Sequence, residues 1–222
     1  MTGHSKAVIF DLWNTLAYND TTQNPMLLLE RRFGLKAEQY KKIERAFMLQ
    51  KFPSVLEAAK HMCECMGKEC EPDIIHDLLE IWDKSRIHFA LFPDVIPGLE
   101  RLRENGYKLG LISNTDCFSM KPFFEAGYKK YFDCIAFSYE TGLLKPDSDL
   151  FRLVLERMGV KAQEAVMVGD NLHDDVQASL EVGMHAILIK RDPKEFHFVP
   201  SWVEHGTYEK TITNMKELER FL

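Results

Sequence analysis

Seven side chains with hydroxyl, amide, carboxylate or ammonium groups lie at or beyond the ends of short apolar runs in this sequence. They are Asp11, Ser113, Asn114, Lys145, Asp170, Asp174 and Asp175. Carboxylate oxygens bind hard cations, and Mg²⁺ with several retained waters suits such a set better than Ca²⁺, which prefers a fuller cage of protein oxygens. A cation there would neutralise a bound phosphate and leave one Asp free to attack, while an ammonium group balances the remaining charge.

Each of these residues, taken singly, could have a simpler role in a turn or at a helix end. Ser113 and Asn114 could cap the following helix. Either Asp174 or Asp175 could do no more than stabilise a helix N-terminus through its negative charge. A shared chemical role requires that the elements before them end at one edge of the molecule.

The apolar runs have the character of strands that are covered on both faces. They are AVIF at 7–10, YKLGLI at 107–112, CIAF at 134–137, AVMVG at 165–169 and HAILI at 185–189. Amphipathic stretches that predict helices separate them at 97–105, 148–159 and 174–183. This alternation predicts an α/β fold with a doubly wound parallel sheet, in which ligands bind at the carboxyl ends of the strands.

The segment between about 17 and 90 has a different pattern. It lacks strand-like runs, and its apolar residues carry helical spacing throughout. We therefore predict an inserted helical cap domain at 17–90 and a core domain formed by 1–16 and 91–222.

Four motifs, FDLWNTL, LISNTD, LLKPD and VGDNLHDD, occur in this order, with the helical insertion after the first. Together they resemble the haloacid dehalogenase-like (HAD) superfamily, whose members are mostly Mg²⁺-dependent phosphatases with a Rossmann-like core. The resemblance covers about 1–16 and 91–222. It implies a hydrolase of a small phosphorylated metabolite.

The resemblance also implies roles for the residues of the motifs. Asp11 would be the nucleophile that forms an aspartyl-phosphate, Ser113 and Asn114 would hold the phosphoryl oxygens, and Lys145 would screen the charge around Asp11. The Mg²⁺ ligands would be Asp11, the main-chain carbonyl of Trp13, Asp170 and, as the distal acid, Asp175. Asp174 is the second choice for that acid.

Trp13 departs from the family pattern. Phosphatases of this superfamily usually carry a second Asp here, which protonates the leaving alcohol and then activates water. An indole has no titratable proton in the useful range, and general acid–base help typically contributes about 10²- to 10⁴-fold. Solvent, the substrate itself or His173 could take over that step.

Two other functions remain open. Haloacid dehalogenases of the superfamily have an aromatic residue at position 13, but they are metal-independent, and Asp170 beside Asp175 would place uncompensated charge next to Asp11 without a cation. They also use an arginine of the cap; Arg31 and Arg32 are the only early arginines of the expected cap, and nothing in the sequence places them in the site. The second alternative is a binding protein that kept the fold and lost turnover through Trp13.

Composition limits the setting and the partners. The 222 residues are 45% hydrophobic, which is enough for one core and a small accessory domain. A net charge of -6 argues against nucleic acid, and neither a signal peptide nor a membrane span is expected. Five cysteines predict reduced thiols and a cytoplasmic protein. The sequence leaves the oligomeric state and the substrate open.

The cluster of His61, Cys63, Cys65 and Cys70 suggests a metal site by residue type alone. Its spacing matches no zinc pattern, and the two thiols of CxC would point away from each other on a helix. We therefore expect no zinc there.

Overall fold

The computed structural model describes residues 6–19, 25–84, 89–192 and 207–222. Six parallel strands form one sheet in the order β5-β4-β1-β6-β7-β8. They are β1 (Ala7–Phe10), β4 (Lys108–Ser113), β5 (Cys134–Phe137), β6 (Ala165–Gly169), β7 (His185–Ile189) and β8 (Thr211–Ile212). The α/β fold with a doubly wound parallel sheet is confirmed.

The apolar runs form strands because both faces of the sheet are covered. In β1, Val8 and Phe10 pack into one buried cluster while Ala7 and Ile9 pack into another. The first cluster receives α5 (Val95–Glu104) and α6 (Lys121–Glu125), and the second receives α8 (Ser148–Met158). A strand with no solvent face carries no alternation of polar and apolar residues.

Four helices fill most of the inserted segment. They are α1 (Pro25–Phe33), α2 (Ala37–Met48), α3 (Val55–Cys65) and α4 (Pro72–Lys84). A buried cluster of their own, which includes Leu29, Ile43, Cys63 and Leu78, holds them together. None of the helices in the described ranges is long and apolar enough to cross a membrane.

The expectation that 17–90 lacks strands was wrong at both ends of the segment. β2 (Ala17–Asn19) and β3 (Phe89–Leu91) form an antiparallel ribbon with Ala17 opposite Leu91. Three residues are too few to show a periodicity, and each strand exists because the other lies beside it. This ribbon is the connection between the sheet and the four helices.

Element bounds also differ from the sequence prediction, most clearly at β4 and at the helix expected at 174–183. β4 extends to Ser113 because that residue pairs with Phe137 of β5. The helix expected at 174–183 begins earlier, as a π-helical turn over Leu172–Gln177 followed by α9 (Ala178–Glu181). The Asn171 side chain accepts hydrogen bonds from the first amides of this turn and so fixes its start. The short helix α7 (Ser138–Thr141) follows β5 directly.

Candidate active site

The site lies at the carboxyl ends of three neighbouring strands. β1 lies between β4 and β6 and is parallel to both. Asp11 follows β1, Ser113 ends β4 and Asp170 follows β6. Parallel strands end at the same edge of a sheet, so the order of the strands alone brings these three residues together.

Lys145 is the centre of the charged cluster. Its Nζ atom donates hydrogen bonds to Oδ1 of Asp11 and to Oδ1 of Asp175, each at 2.5 Å. All three side chains are buried, the most exposed at 7%. Burial by itself would lower the pKa of Lys145, but the two carboxylates and their hydrogen bonds outweigh that effect and raise it. The lysine is therefore a fixed ammonium ion.

Three carboxylates face one another beside this ammonium. Asp11, Asp170 and Asp175 each offer an oxygen, and these oxygens lie within 4.8 Å of one another. Burial raises the pKa of Asp11 to about 6, against the lowering effect of Lys145. Loss of contact with water, followed by the charges of Asp11 and Asp175, raises the pKa of Asp170 well above its usual value. One ammonium does not balance three negative charges, so the donor set fits a divalent cation.

Asp175, rather than Asp174, belongs to this cluster. Its carboxylate is buried against Lys145 and accepts a hydrogen bond at 3.0 Å from the main-chain N–H of Asn171. A side chain at Gly169 would overlap the Asp175 carboxyl group, so glycine is required there. Asp174 instead pairs with the exposed ring of His173 at 2.8 Å. The structure therefore groups Asp175, and not Asp174, with Asp11 and Asp170.

Ser113 and Asn114 lie beside the cluster but differ in their contacts. The Ser113 Oγ atom is buried without a hydrogen-bond partner among the described residues. A buried polar atom without a partner is costly, and a ligand oxygen would satisfy it. The Asn114 side chain donates to the Lys145 carbonyl at 3.0 Å and accepts from the Lys145 N–H at 2.8 Å. This amide positions Lys145, a contact that the sequence did not predict.

The Trp13 side chain links the loop after β1, where it lies, to the loop after β4. Its Nε1 atom donates a hydrogen bond to Oγ1 of Thr115 at 3.3 Å. Its ring meets Phe89 of the ribbon edge to face, with centroids 5.7 Å apart. The next residue, Asn14, has a φ of 57° and donates from its N–H to the Ala17 carbonyl at 2.6 Å. The backbone at Trp13 is thus held in a tight turn.

Arg191 is a site-supporting residue that sequence reasoning missed. Its Nε and Nη2 atoms donate to the Thr15 carbonyl at 2.9 and 2.8 Å, and its Nη1 atom donates to both oxygens of Asp94. The guanidinium group also lies 4.3 Å from the centre of the Phe92 ring. Asp94 accepts a further hydrogen bond from the N–H of Met215. No local pattern marks Arg191, because its partners are far away in sequence.

The two arginines considered for a carboxylate ligand lie on α1 and face α4. Arg31 and Arg32 line a surface groove of about 250 Å³ with Asp77 and Glu80. Arg32 forms an ion pair with Asp77. Because Arg32 already pairs with a carboxylate of α4, it gives little support to the dehalogenase alternative.

The cluster of His61, Cys63, Cys65 and Cys70 has local contacts. His61 Nε2 lies 3.6 Å from the Cys65 Sγ atom and 3.2 Å from Nε2 of Gln50. Cys70 instead donates its thiol hydrogen to the Lys60 carbonyl. A side-chain hydrogen bond also joins Cys63 and Cys70, so the contacts link His61 with Cys65 and Cys63 with Cys70.

Comparison with known proteins gives consistent matches. The family model described as haloacid dehalogenase-like hydrolase matches residues 5–183. A protein of Methanothermobacter thermautotrophicus named glyceraldehyde 3-phosphate phosphatase is 28% identical over 200 residues, which are 86% of this chain and 88% of the relative. A protein of the same name from Methanopyrus kandleri is 32% identical over 128 residues, which are 57% of this chain and only 55% of the relative.

A solved structure extends the similarity to the whole chain. The crystal structure of a HAD phosphatase from Thermococcus onnurineus has a TM-score of 0.59 and 26% sequence identity. The alignment covers 97% of this chain and 96% of that structure. The aligned residues therefore span the inserted segment as well as the sheet.

Proposed function

The chain belongs to the haloacid dehalogenase-like hydrolase family, and from that premise we propose that it is a Mg²⁺-dependent phosphohydrolase of a small phosphorylated metabolite. The two relatives named glyceraldehyde 3-phosphate phosphatase support phosphate hydrolysis on a small molecule. The observation that carries the proposal is the meeting of Asp11, Asp170 and Asp175 around Lys145.

Mg²⁺ would be held by carboxylate oxygens of Asp11, Asp170 and Asp175 and by the main-chain carbonyl of Trp13. Two negative charges remain after Lys145 is counted, and a divalent cation matches them. When bound, the ion supplies positive charge next to the phosphoryl oxygens and so lowers the cost of bringing a dianion to a carboxylate.

Asp11 is the nucleophile in this proposal. Its carboxylate attacks phosphorus, and the leaving group departs to give an aspartyl-phosphate that water then hydrolyses. The Lys145 ammonium fixes one oxygen of Asp11 and stays charged throughout, because its raised pKa prevents it from losing its proton. The unpartnered Ser113 hydroxyl binds a phosphoryl oxygen, and the Asn114 side chain orients the Lys145 main chain.

The helical segment at 17–90 acts as a cap over this edge of the sheet, with 1–16 and 91–222 as the core. Phe47 of α2 stacks on Phe118, which follows β4, with ring centroids 6.4 Å apart. Lys51 pairs with Glu140 at 3.2 Å and lies 5.5 Å from the centre of the Tyr139 ring. These contacts support a cap that closes against the loops of the core and excludes water during transfer.

We also propose a cytoplasmic setting. The five cysteines are free thiols, as expected for a reducing compartment. The acidic net charge gives no reason to expect a nucleic-acid partner.

A panel of phosphate esters, assayed with and without Mg²⁺, tests this function. Phosphate release should require the cation and should disappear in the Asp11→Asn variant, which keeps the shape of the side chain. Chloride release from a 2-chloro acid in the presence of a chelator would select the dehalogenase instead. Mg²⁺ binding without a phosphoryl or fluoroberyllate adduct on Asp11 would select the binding protein.

A further inference from the structure

We propose that this site selects phosphorylated substrates whose leaving group departs without a proton, namely acyl phosphates and aryl phosphates, and that Trp13 sets this preference. The inference rests on the phosphoryl transfer to Asp11 proposed above, and it adds the chemical class of the group that is expelled.

The Trp13 side chain cannot donate a proton to a leaving group. The indole has one N–H, and Thr115 accepts its hydrogen bond. The ring is held from the other side by Phe89, at an interplanar angle of 71°. The indole therefore places an apolar surface between the loop after β1, the loop after β4 and the ribbon. That surface suits the planar or apolar body of an aryl or acyl group.

The charged groups of the site take part in other interactions, with one another or with the cation. The Lys145 ammonium group is bound by Asp11 and Asp175. Carboxylates bind a cation in their unprotonated form, so Asp11, Asp170 and Asp175 carry no proton to give when the ion is present.

Two further ionisable residues in the flanking loops are also engaged. His173 is exposed and paired with Asp174. The buried Asp116 accepts hydrogen bonds from the N–H groups of Phe118 and Ser119 and from the Ser119 hydroxyl. Within the described residues, the group of side chains that faces Asp11 contains Asp170 and Asp175 but neither His173 nor Asp116.

The chemistry then depends on the leaving group. An Asp11 oxygen forms a bond to phosphorus, and the bond from phosphorus to the leaving oxygen breaks with its electron pair on that oxygen. A carboxylate or phenolate is stable as that anion, whereas an alkoxide needs a proton. Water next attacks phosphorus, the bond to Asp11 breaks, and the products are the free Asp11 carboxylate and H₂PO₄⁻.

Hydrolysis of the aspartyl-phosphate also fits a site without a general acid. The group expelled in that step is the Asp11 carboxylate, which leaves as a stable anion. The first step therefore carries the selection between substrates, and kcat/KM reports that step.

The experiment compares kcat/KM in saturating Mg²⁺ for acetyl phosphate, 4-nitrophenyl phosphate and glycerol 3-phosphate. We expect the wild type to prefer the first two by about 10²-fold or more, which is the size of the missing general-acid contribution. Trp13→Asp should raise kcat/KM for glycerol 3-phosphate and reduce the preference by about 10-fold or more. Trp13→Phe is the matched control, because it keeps an aromatic surface without a titratable group, and it should keep the preference.

Each outcome has a distinct meaning. Glycerol 3-phosphate turnover within about threefold of the other two substrates in the wild type would overturn the leaving-group preference and leave the phosphohydrolase intact. An equal change in kcat/KM for all three substrates in Trp13→Asp would also overturn the leaving-group preference and leave the phosphohydrolase intact. Phosphate release no greater than in Asp11→Asn, for all three substrates, would instead overturn the proposed function. If Trp13→Asp fails to fold, the wild type and Trp13→Phe still decide the question.

Discussion

The guanidinium group of Arg191 donates two hydrogen bonds to the main-chain carbonyl of Thr15, across 176 positions of sequence. Thr15 lies in the turn that follows Asp11 and Trp13, and the same guanidinium group binds Asp94 at the start of α5. Arg191 therefore joins the turn beside the nucleophile to the helix that follows the ribbon.

Arg191→Met should destabilise the protein by about 3 kcal/mol, because the partly buried Asp94 loses its charged partner and keeps only the Met215 N–H, while the Thr15 carbonyl loses both of its guanidinium donors. Thermal unfolding should show a fall in Tm of about 10 °C for a chain of this size. Arg191→Lys should lose less, because it keeps the charge opposite Asp94 but not the forked contact with Thr15. Arg101→Met, which removes an exposed pair with Glu219, is the control and should change Tm by about 2 °C or less. Equal losses in the two methionine variants would contradict this account.

The distal metal-binding acid can be tested with two adjacent isosteric variants. Asp175→Asn should weaken Mg²⁺ binding by about 10-fold or more, because it removes one of the three carboxylates that face one another. Asp174→Asn should leave the affinity within about twofold, because Asp174 pairs with His173 and stands apart from the cluster. Calorimetric titration of Mg²⁺ into the two folded variants measures the difference. A larger loss for Asp174→Asn would reverse the assignment.

In the absence of metal, the free energy of unfolding should depend on pH, because three carboxylates lie close together in the fold. The pKa of Asp11 is raised to about 6, so the ionised form is disfavoured in the fold, and stability is lost as pH rises from about 4 to about 6. Asp170 contributes with the same sign, since its pKa is also raised.

Mg²⁺ should reverse this loss, because it binds only the ionised carboxylates. At about 100 times its dissociation constant it should stabilise the protein by about 2.7 kcal/mol, a rise in Tm of about 5–10 °C at pH near 7.5. The rise should be smaller near pH 5, where protons compete with the ion. Differential scanning calorimetry at the two pH values is the measurement, and an equal or larger rise at the lower pH would argue against these ligands.

Trp13→Asp should increase turnover of alkyl phosphates, because it supplies a carboxyl group at the position where the wild type has an indole. The gain should be about 10²-fold if the rest of the site is intact, the lower end of what general acid–base catalysis contributes. Steady-state kcat on glycerol 3-phosphate, with circular dichroism to check folding, measures it. An unchanged or lower rate in a folded variant would mean that another group already performs the proton transfer.

Most strands of the sheet could be predicted from the sequence, because parallel strands in a doubly wound sheet have no solvent face and appear as continuous apolar runs. The runs at 7–10, 134–137, 165–169 and 185–189 match their strands residue for residue. The ribbon of β2 and β3 was not predicted, because each of its strands is three residues long, which is too short to show a periodicity, and its partner strand lies at the other end of the inserted segment.

Sequence alone also determined which side chains stand at the strand ends, since residue type and position after an apolar run are local properties. Only the tertiary structure decided how these side chains are paired. Lys145 between Asp11 and Asp175, the Asn114 amide on the Lys145 main chain and Arg191 on the Thr15 carbonyl all join remote parts of the chain. Such contacts depend on the path of the backbone and on which partner lies within 3 Å or so. A local sequence pattern does not specify that path.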